Sequence, residues 1–190
     1  MASPLDLLRD GDALLIVDMQ NDFCPSGALP IEEGDKCVPA LNAWIDAAIA
    51  ASLPIYYSRD WHPVGHMSFD VNGGQWPAHC LQDTRGAAFH ADLKVPSDAV
   101  KVTKGTRFDK DQNSAFDETG LIEKCRRDGV KRLWVGGLAL DVCVLASALD
   151  AKRGGLDVHV LIEATRPVTS DGGKNAIRKM KEAGIVIEGD

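Results

Sequence analysis

Leu133-Trp134-Val135-Gly136-Gly137-Leu138-Ala139-Leu140-Asp141-Val142-Cys143-Val144 reads as a strand, a turn and the start of a helix. The β-branched and aromatic run stops at two glycines and restarts with helical spacing from Val142 to Lys152. At such a junction backbone N–H groups lack an intrahelical partner. The positive end of a helix lowers a cysteine pKa, so Cys143 is expected as a thiolate nucleophile. The competing reading is a small buried core cysteine, a common fate for free thiols.

The same strand-then-helix grammar recurs along the chain. Ala13–Val17 is a continuous apolar run after the turn signal Gly11-Asp12, as expected for a strand buried on both faces. Val38, Leu41, Ile45, Ala48 and Ile49 recur at helical spacing, with Asp35 the candidate N-cap. Further strands are expected at Pro54–Ser58, Ala99–Val102, Asp157–Ile162 and Ile185–Ile187, and further helices at Leu121–Arg127 and Lys174–Glu182. Six strands alternating with helices predict an α/β fold: a mostly parallel six-stranded sheet with helices on both faces. Residues 61–98 are rich in Gly, Pro and His and weakly periodic, and connections of that length are usually functional.

Composition narrows the class. The 190 residues carry a formal net charge of -7, with 28 acidic against 21 basic side chains, which argues against a nucleic-acid surface. The basic cluster Lys124, Arg126, Arg127, Lys131 and Arg132 is most simply a solvated helix end. No apolar run approaches the roughly 20 residues of a membrane span. Met1–Asp6 lacks the basic and apolar regions of a signal peptide. Five scattered cysteines without an export signal suggest reduced thiols in the cytoplasm. With no repeat, linker or low-complexity tract, residues 1–190 read as one domain. Self-association is left open.

Ligands of parallel α/β sheets bind beyond the carboxyl ends of the strands. Asp18, Asp60, Lys104 and Cys143 all fall there, after four successive strands. Each alone has a bland explanation as a cap or surface residue; their joint placement points to one site. Asp60-Trp61-His62-Pro63-Val64-Gly65-His66, with His79 downstream, groups one carboxylate with three imidazoles, a donor set suited to divalent Zn, Fe or Mn. Asp18, Lys104 and Cys143 form a nucleophile set. A desolvated Asp18 can take the thiol proton, and the Lys104 ammonium stabilises both anions. Thiolate attack on a carboxamide forms an oxyanion, for which backbone N–H groups around Ala139 and Cys143 are natural donors.

At this point a resemblance becomes specific. Val17–Phe23, Asp60–Pro63 with His66 and Ser68-Phe69, Trp76–Cys80, Lys104–Thr106, Ser114–Phe116 and Gly137–Val144 resemble, in order, the nicotinamidase branch of the isochorismatase-like cysteine hydrolases. The resemblance implies a three-layer α/β/α fold and hydrolysis of a small amide, nicotinamide to nicotinate and ammonia, through a cysteine thioester in NAD salvage. It implies Asp18, Lys104 and Cys143 as the catalytic triad. It implies one divalent metal ion held by Asp60, His62 and His79, with the pyridine nitrogen bound to it directly or through water. His66 matches a position that is a ligand in some members and lies behind the ligands in others. Phe23, Trp76 and Ala139 match substrate-pocket positions, and a cis peptide is implied between Leu138 and Ala139. Two departures stand out: Leu140 where the family usually has Thr, and Asn113 where it has Tyr. Competing readings are another small carboxamide on the same triad, or a metallohydrolase using metal-bound water. The second leaves Cys143 and Lys104 unexplained.

Overall fold

Every residue of β1 (Asp12–Val17) is buried, so successive side chains must find apolar partners on both faces of the strand. Leu14 and Ile16 join a core with Leu41, Trp44, Ile45 and Trp134. Ala13, Leu15 and Val17 join a second core with Val144, Ala148, Ala151 and Met180. This period-two partition divides the molecule into three layers. In this computed structural model, which describes residues 3–189, the short helix α1 (Pro4–Leu7) and α2 (Cys37–Ala50) lie on the first face. The second face carries α3 (Leu121–Arg127), α4 (Leu145–Arg153) and α5 (Ser170–Glu182). Among the described residues no helix is long and apolar enough to cross a membrane.

The sheet contains β2 (Ile55–Asp60), β3 (Val100–Lys104), β4 (Arg132–Leu138), β5 (Asp157–Arg166) and β6 (Val186–Glu188), in the order β3-β2-β1-β4-β5-β6. All five pairings are parallel, so the expected "mostly parallel" sheet is wholly so. The chain runs outward from β1 to β3, then returns to the other side of β1 as β4. That reversal is a topological switch point, where the carboxyl ends of neighbouring strands diverge and leave a crevice. Gly137 allows the two strands to meet there. Its φ is 119°, and an added Cβ would lie 2.0 Å from the Val17 carbonyl oxygen.

Several local expectations are corrected. Strands and helices do not strictly alternate, because β2 connects to β3 through a long segment whose only helical piece is a 3₁₀ turn at Asp70–Asn72. Those residues wrap the sheet edge with turns and side-chain bonds instead. Asp35 does not cap α2: it lies in a 3₁₀ turn, Gly34–Lys36, that runs directly into the helix. The helix expected from Val142 starts at Leu145, because Leu140–Val144 form a wider turn in which Val144 N–H bonds back to the Ala139 carbonyl at 3.0 Å. α5 begins earlier than Lys174, at Ser170, with Thr169 Oγ1 accepting from Gly172 N–H at 3.0 Å. The cap outweighs the poor helix propensity of Gly172 and Gly173.

Candidate active site

Strand register assembles the site before any side chain is considered. β2 and β3 end in step, with Asp60 opposite Lys104, and β1 ends with Val17 opposite Gly137, one residue before the end of β4. Asp18, the next residue after β1, turns with φ 45°. The peptide between Leu138 and Ala139 is cis, and the wide turn after it carries Cys143.

Asp18, Lys104 and Cys143 converge in the buried interior. Lys104 Nζ lies 2.7 Å from Asp18 Oδ2 and 3.6 Å from Cys143 Sγ, and it also donates to Asp60 Oδ1. Ser58 Oγ donates to Asp18 Oδ1 at 2.6 Å. Such burial sets the protonation states. Desolvation raises the Asp18 pKa, with Lys104 opposing. Burial also favours neutral Lys104, but the two facing carboxylates overcome it and hold the ammonium charged. The expected low-pKa cysteine is not found. Burial pushes the Cys143 thiol well up, Lys104 opposes, and Asp18 and Asp60 reinforce the rise. Desolvation and two nearby carboxylates outweigh the helix end, so the resting sulfur carries its proton beside a carboxylate able to accept it.

Asp60, His62 and His79 bring one ligand atom each to within 4.8 Å of one another. His62 Nδ1–H donates to the Gly105 carbonyl at 2.8 Å, and His79 Nδ1–H to the Pro77 carbonyl at 2.8 Å. A carbonyl only accepts, so these bonds put the proton on Nδ1 and leave both Nε2 lone pairs free. Those two Nε2 atoms face Asp60 Oδ2 at 3.6 Å and 3.9 Å. A mixed carboxylate–imidazole set with oriented lone pairs fits a divalent first-row metal. Gly105 is required here: a Cβ would lie 2.4 Å from the His62 ring. Burial opposes charge on His62, but Asp60 raises its pKa above the usual value; His79 is lowered, chiefly by burial. For Asp60, burial acts upward, and Lys104 with His62 overcomes it and holds the carboxyl low.

His66 stands apart from this trio. Its ring packs on His62 with centroids 4.2 Å apart. Its Nδ1 faces Ser68 Oγ at 2.7 Å, and its buried Nε2 has no hydrogen-bond partner among the described residues. A narrow pocket opens between the metal-type donors and the thiol, lined by Phe23, Asp60, Trp76, His79, Ala139 and Cys143. Phe23 packs against the His79 ring at 5.5 Å. Asn113 lines the same pocket. Leu140 does not; it is buried in the core shared with α4 and α5.

Two supporting residues escaped the sequence reading. Ser58 had a usable signal, since it lies two positions before Asp60 and therefore on the same face of β2. Gln20 had none that distinguished it from a loop residue. Its buried side chain spans the sheet edge, with Nε2 donating to the Asp60 and Ala87 carbonyls at 2.7 Å and 2.8 Å and Oε1 accepting from Asp60 N–H at 2.8 Å.

Residues 12–189 match the model of the isochorismatase domain. The chain is similar to the nicotinamidase of Escherichia coli, with 34% identity covering 92% of this chain and 93% of that protein. Among solved structures it resembles the pyrazinamidase of Pyrococcus horikoshii in complex with zinc, with 43% identity and a TM-score of 0.90 over 93% of this chain and 98% of that one. It also resembles a protein of L. infantum solved in complex with nicotinate, with 34% identity and a TM-score of 0.86 over 93% of this chain and 91% of that one.

Proposed function

This chain belongs to the isochorismatase family, and from that membership we propose that it is an amidohydrolase converting nicotinamide to nicotinate and ammonia, a step of NAD salvage. The observation that carries the reading is the meeting of two chemistries across one pocket. A buried thiol with a carboxylate and an ammonium lies on one side, and a carboxylate–imidazole trio lies on the other. The naming of similar proteins as nicotinamidase, and the nicotinate held by the L. infantum protein, support the same substrate class.

In this reading Asp18 takes the Cys143 proton as Sγ attacks the carboxamide carbon. Its raised pKa makes that transfer accessible, because a strongly acidic carboxyl would hold the proton too weakly. Lys104 keeps its charge and compensates the negative charge that moves from Asp18 to sulfur and back. Backbone N–H groups of Ala139 and Cys143 are the donors for the oxyanion. Asp18 then passes its proton to the leaving nitrogen, the C–N bond breaks, and ammonia departs from a thioester. Water attacks the thioester, giving one proton to Asp18; that proton returns to sulfur as the C–S bond breaks, and the acid product loses its remaining proton to solvent and leaves as the carboxylate. Phe23 and Trp76 supply apolar walls for a flat aromatic ring. Asp60, His62 and His79 hold one divalent metal ion of the Zn, Fe or Mn class, with His66 behind His62. When bound, that ion supplies a Lewis-acid contact for the ring nitrogen.

The test is ammonia release from nicotinamide and a panel of small amides, with metal content measured on the same samples. Cys143→Ala is expected to lower turnover by at least about 10³-fold while keeping fold and metal content. Substantial turnover in that variant would remove the covalent step and favour metal-activated water.

A further inference from the structure

We propose that Gln20 is a positioning residue that sets the place of Asp60, and through it couples the metal-type donors to the catalytic lysine. The proposal rests on the reading of Asp60 given above. Its basis is a gap in the sheet. β1 and β2 pair as far as Ile16 and Tyr57, and Asp18 N–H reaches the Ser58 carbonyl at 3.2 Å. There β1 ends: Asp18 adopts φ 45°, and Gln20 N–H folds back onto the Asp18 carbonyl at 2.7 Å. β2 continues to Asp60, paired on its other side with Lys104 of β3. The edge of Asp60 that faces β1 has therefore lost its neighbouring strand.

The Gln20 carboxamide takes that neighbour's place. One primary amide offers the same acceptor and donor as a peptide group. Its Oε1 accepts from Asp60 N–H and its Nε2 donates to Asp60 C=O, so both backbone groups of Asp60 are satisfied by one side chain. The second Nε2 hydrogen goes to the Ala87 carbonyl, and Gln20's own backbone is bridged to Phe89. The clamp is thus fixed from two sides and wholly buried.

Asp60 is the residue on which both halves of the site meet. One oxygen accepts from Lys104, and the other faces His62 and His79. Moving its backbone by a few tenths of an ångström displaces both oxygens together. Loosening Gln20 is therefore read twice, as weaker metal binding and as slower turnover. A residue that merely fills space near the strand end would alter neither once the protein is folded.

Gln20→Leu keeps the approximate shape and removes all three side-chain bonds. Gln20→Glu keeps an acceptor for Asp60 N–H but replaces the donor that serves two carbonyls. Asp12→Asn, at the far end of β1, serves as a control that lowers stability without touching the site. For each folded protein the measurements are Tm, the dissociation constant for Zn²⁺ by chelator competition, and kcat and KM for nicotinamide. Both Gln20 variants are expected to lose about 10–100-fold in Zn²⁺ affinity, the usual effect of disturbing the partners of metal ligands, and to lose kcat. The Asp12 control is expected to keep both. Zn²⁺ affinity and kcat within about twofold of wild type in a folded Gln20 variant would overturn the proposal. A wild-type protein that neither binds Zn²⁺ nor releases ammonia would instead overturn the reading of the site on which it rests. If Gln20→Leu does not fold, Gln20→Glu carries the same decision.

Discussion

Cys143 shows how much a single side chain owes to its surroundings. A helix-end location alone argues for a thiolate, whereas full burial beside two carboxylates keeps the proton on sulfur. In the proposed mechanism the nucleophile forms by proton transfer to Asp18, while Lys104 keeps its charge. Asn113 presents the opposite case, a residue whose effect is contact area. It lines the pocket and is also part of an outer groove over α4 beside Val142. An asparagine leaves more room for ring substituents than an aromatic wall. Asn113→Tyr is expected to tighten nicotinamide binding by about 1 kcal/mol, the worth of an added ring contact. It is also expected to narrow tolerance of ring-substituted nicotinamides. The measurement is kcat/KM for nicotinamide and one substituted analogue on both proteins. An unchanged ratio would mean that the tyrosine ring does not enter the pocket.

The wide turn at Leu140–Val144 joins β4 to α4 and carries the thiol. Its position is tied to a different element by Asp141. The two carboxylate oxygens accept from Val168 N–H at 2.7 Å and Thr169 N–H at 3.2 Å, the residues that lead into α5. Val168 is also a wall of the pocket. Asp141→Ala removes both bonds where the backbone remains partly solvated, a loss of about 1–2 kcal/mol. The consequence for catalysis is specific: KM for nicotinamide is expected to rise more than kcat falls, because the pocket wall loosens while the triad keeps its own contacts. Steady-state kinetics beside thermal unfolding check this. A fall in kcat with KM unchanged would assign Asp141 to the turn alone.

On the scale of the whole molecule, the end of the sheet away from the pocket holds a buried carboxylate that gathers donors from three residues. Asp12, at the start of β1, accepts from Arg132 Nε at 2.8 Å, from an Arg132 terminal nitrogen at 2.6 Å, from Trp134 Nε1 at 3.0 Å and from Arg9 N–H at 2.9 Å. Burial alone would raise its pKa, but these donors outweigh it and hold the carboxyl below its ordinary value of 3.8. The sign follows from linkage. A carboxyl depressed in the folded state contributes stability above its unfolded pKa and loses it as pH falls through the folded value. Asp12→Asn is therefore expected to cost about 1.5–3 kcal/mol at neutral pH. Its unfolding free energy should fall less steeply than wild type below about pH 5. Denaturant unfolding across pH 3 to 7 measures both, and parallel pH curves would show that Asp12 is not a source of acid sensitivity.

The α/β class, the strand positions and the candidate residues were legible in the chain because apolar runs with turn signals mark buried strands, and because Asp18, Asp60 and Lys104 follow such runs closely and Cys143 follows one after its glycine turn. What only the tertiary structure decided depends on neighbours far away in sequence. The order β3-β2-β1-β4-β5-β6 created the switch point that faces Asp18 toward Cys143, and no local pattern encodes which strand lies beside which. The early start of α5 and the wide turn before α4 were hidden for a local reason: a Thr169 cap on Gly172 N–H outweighs the weak helix propensity of the glycines, and Val144 N–H closes a wider ring onto the Ala139 carbonyl. Gln20 was unreadable as a clamp, since its role exists only where β1 ends two residues before β2. The protonation of Cys143 likewise depends on the whole fold. A helix end is local information, but desolvation by the entire fold and charges from three other strands set the pKa, and at full burial those larger effects win.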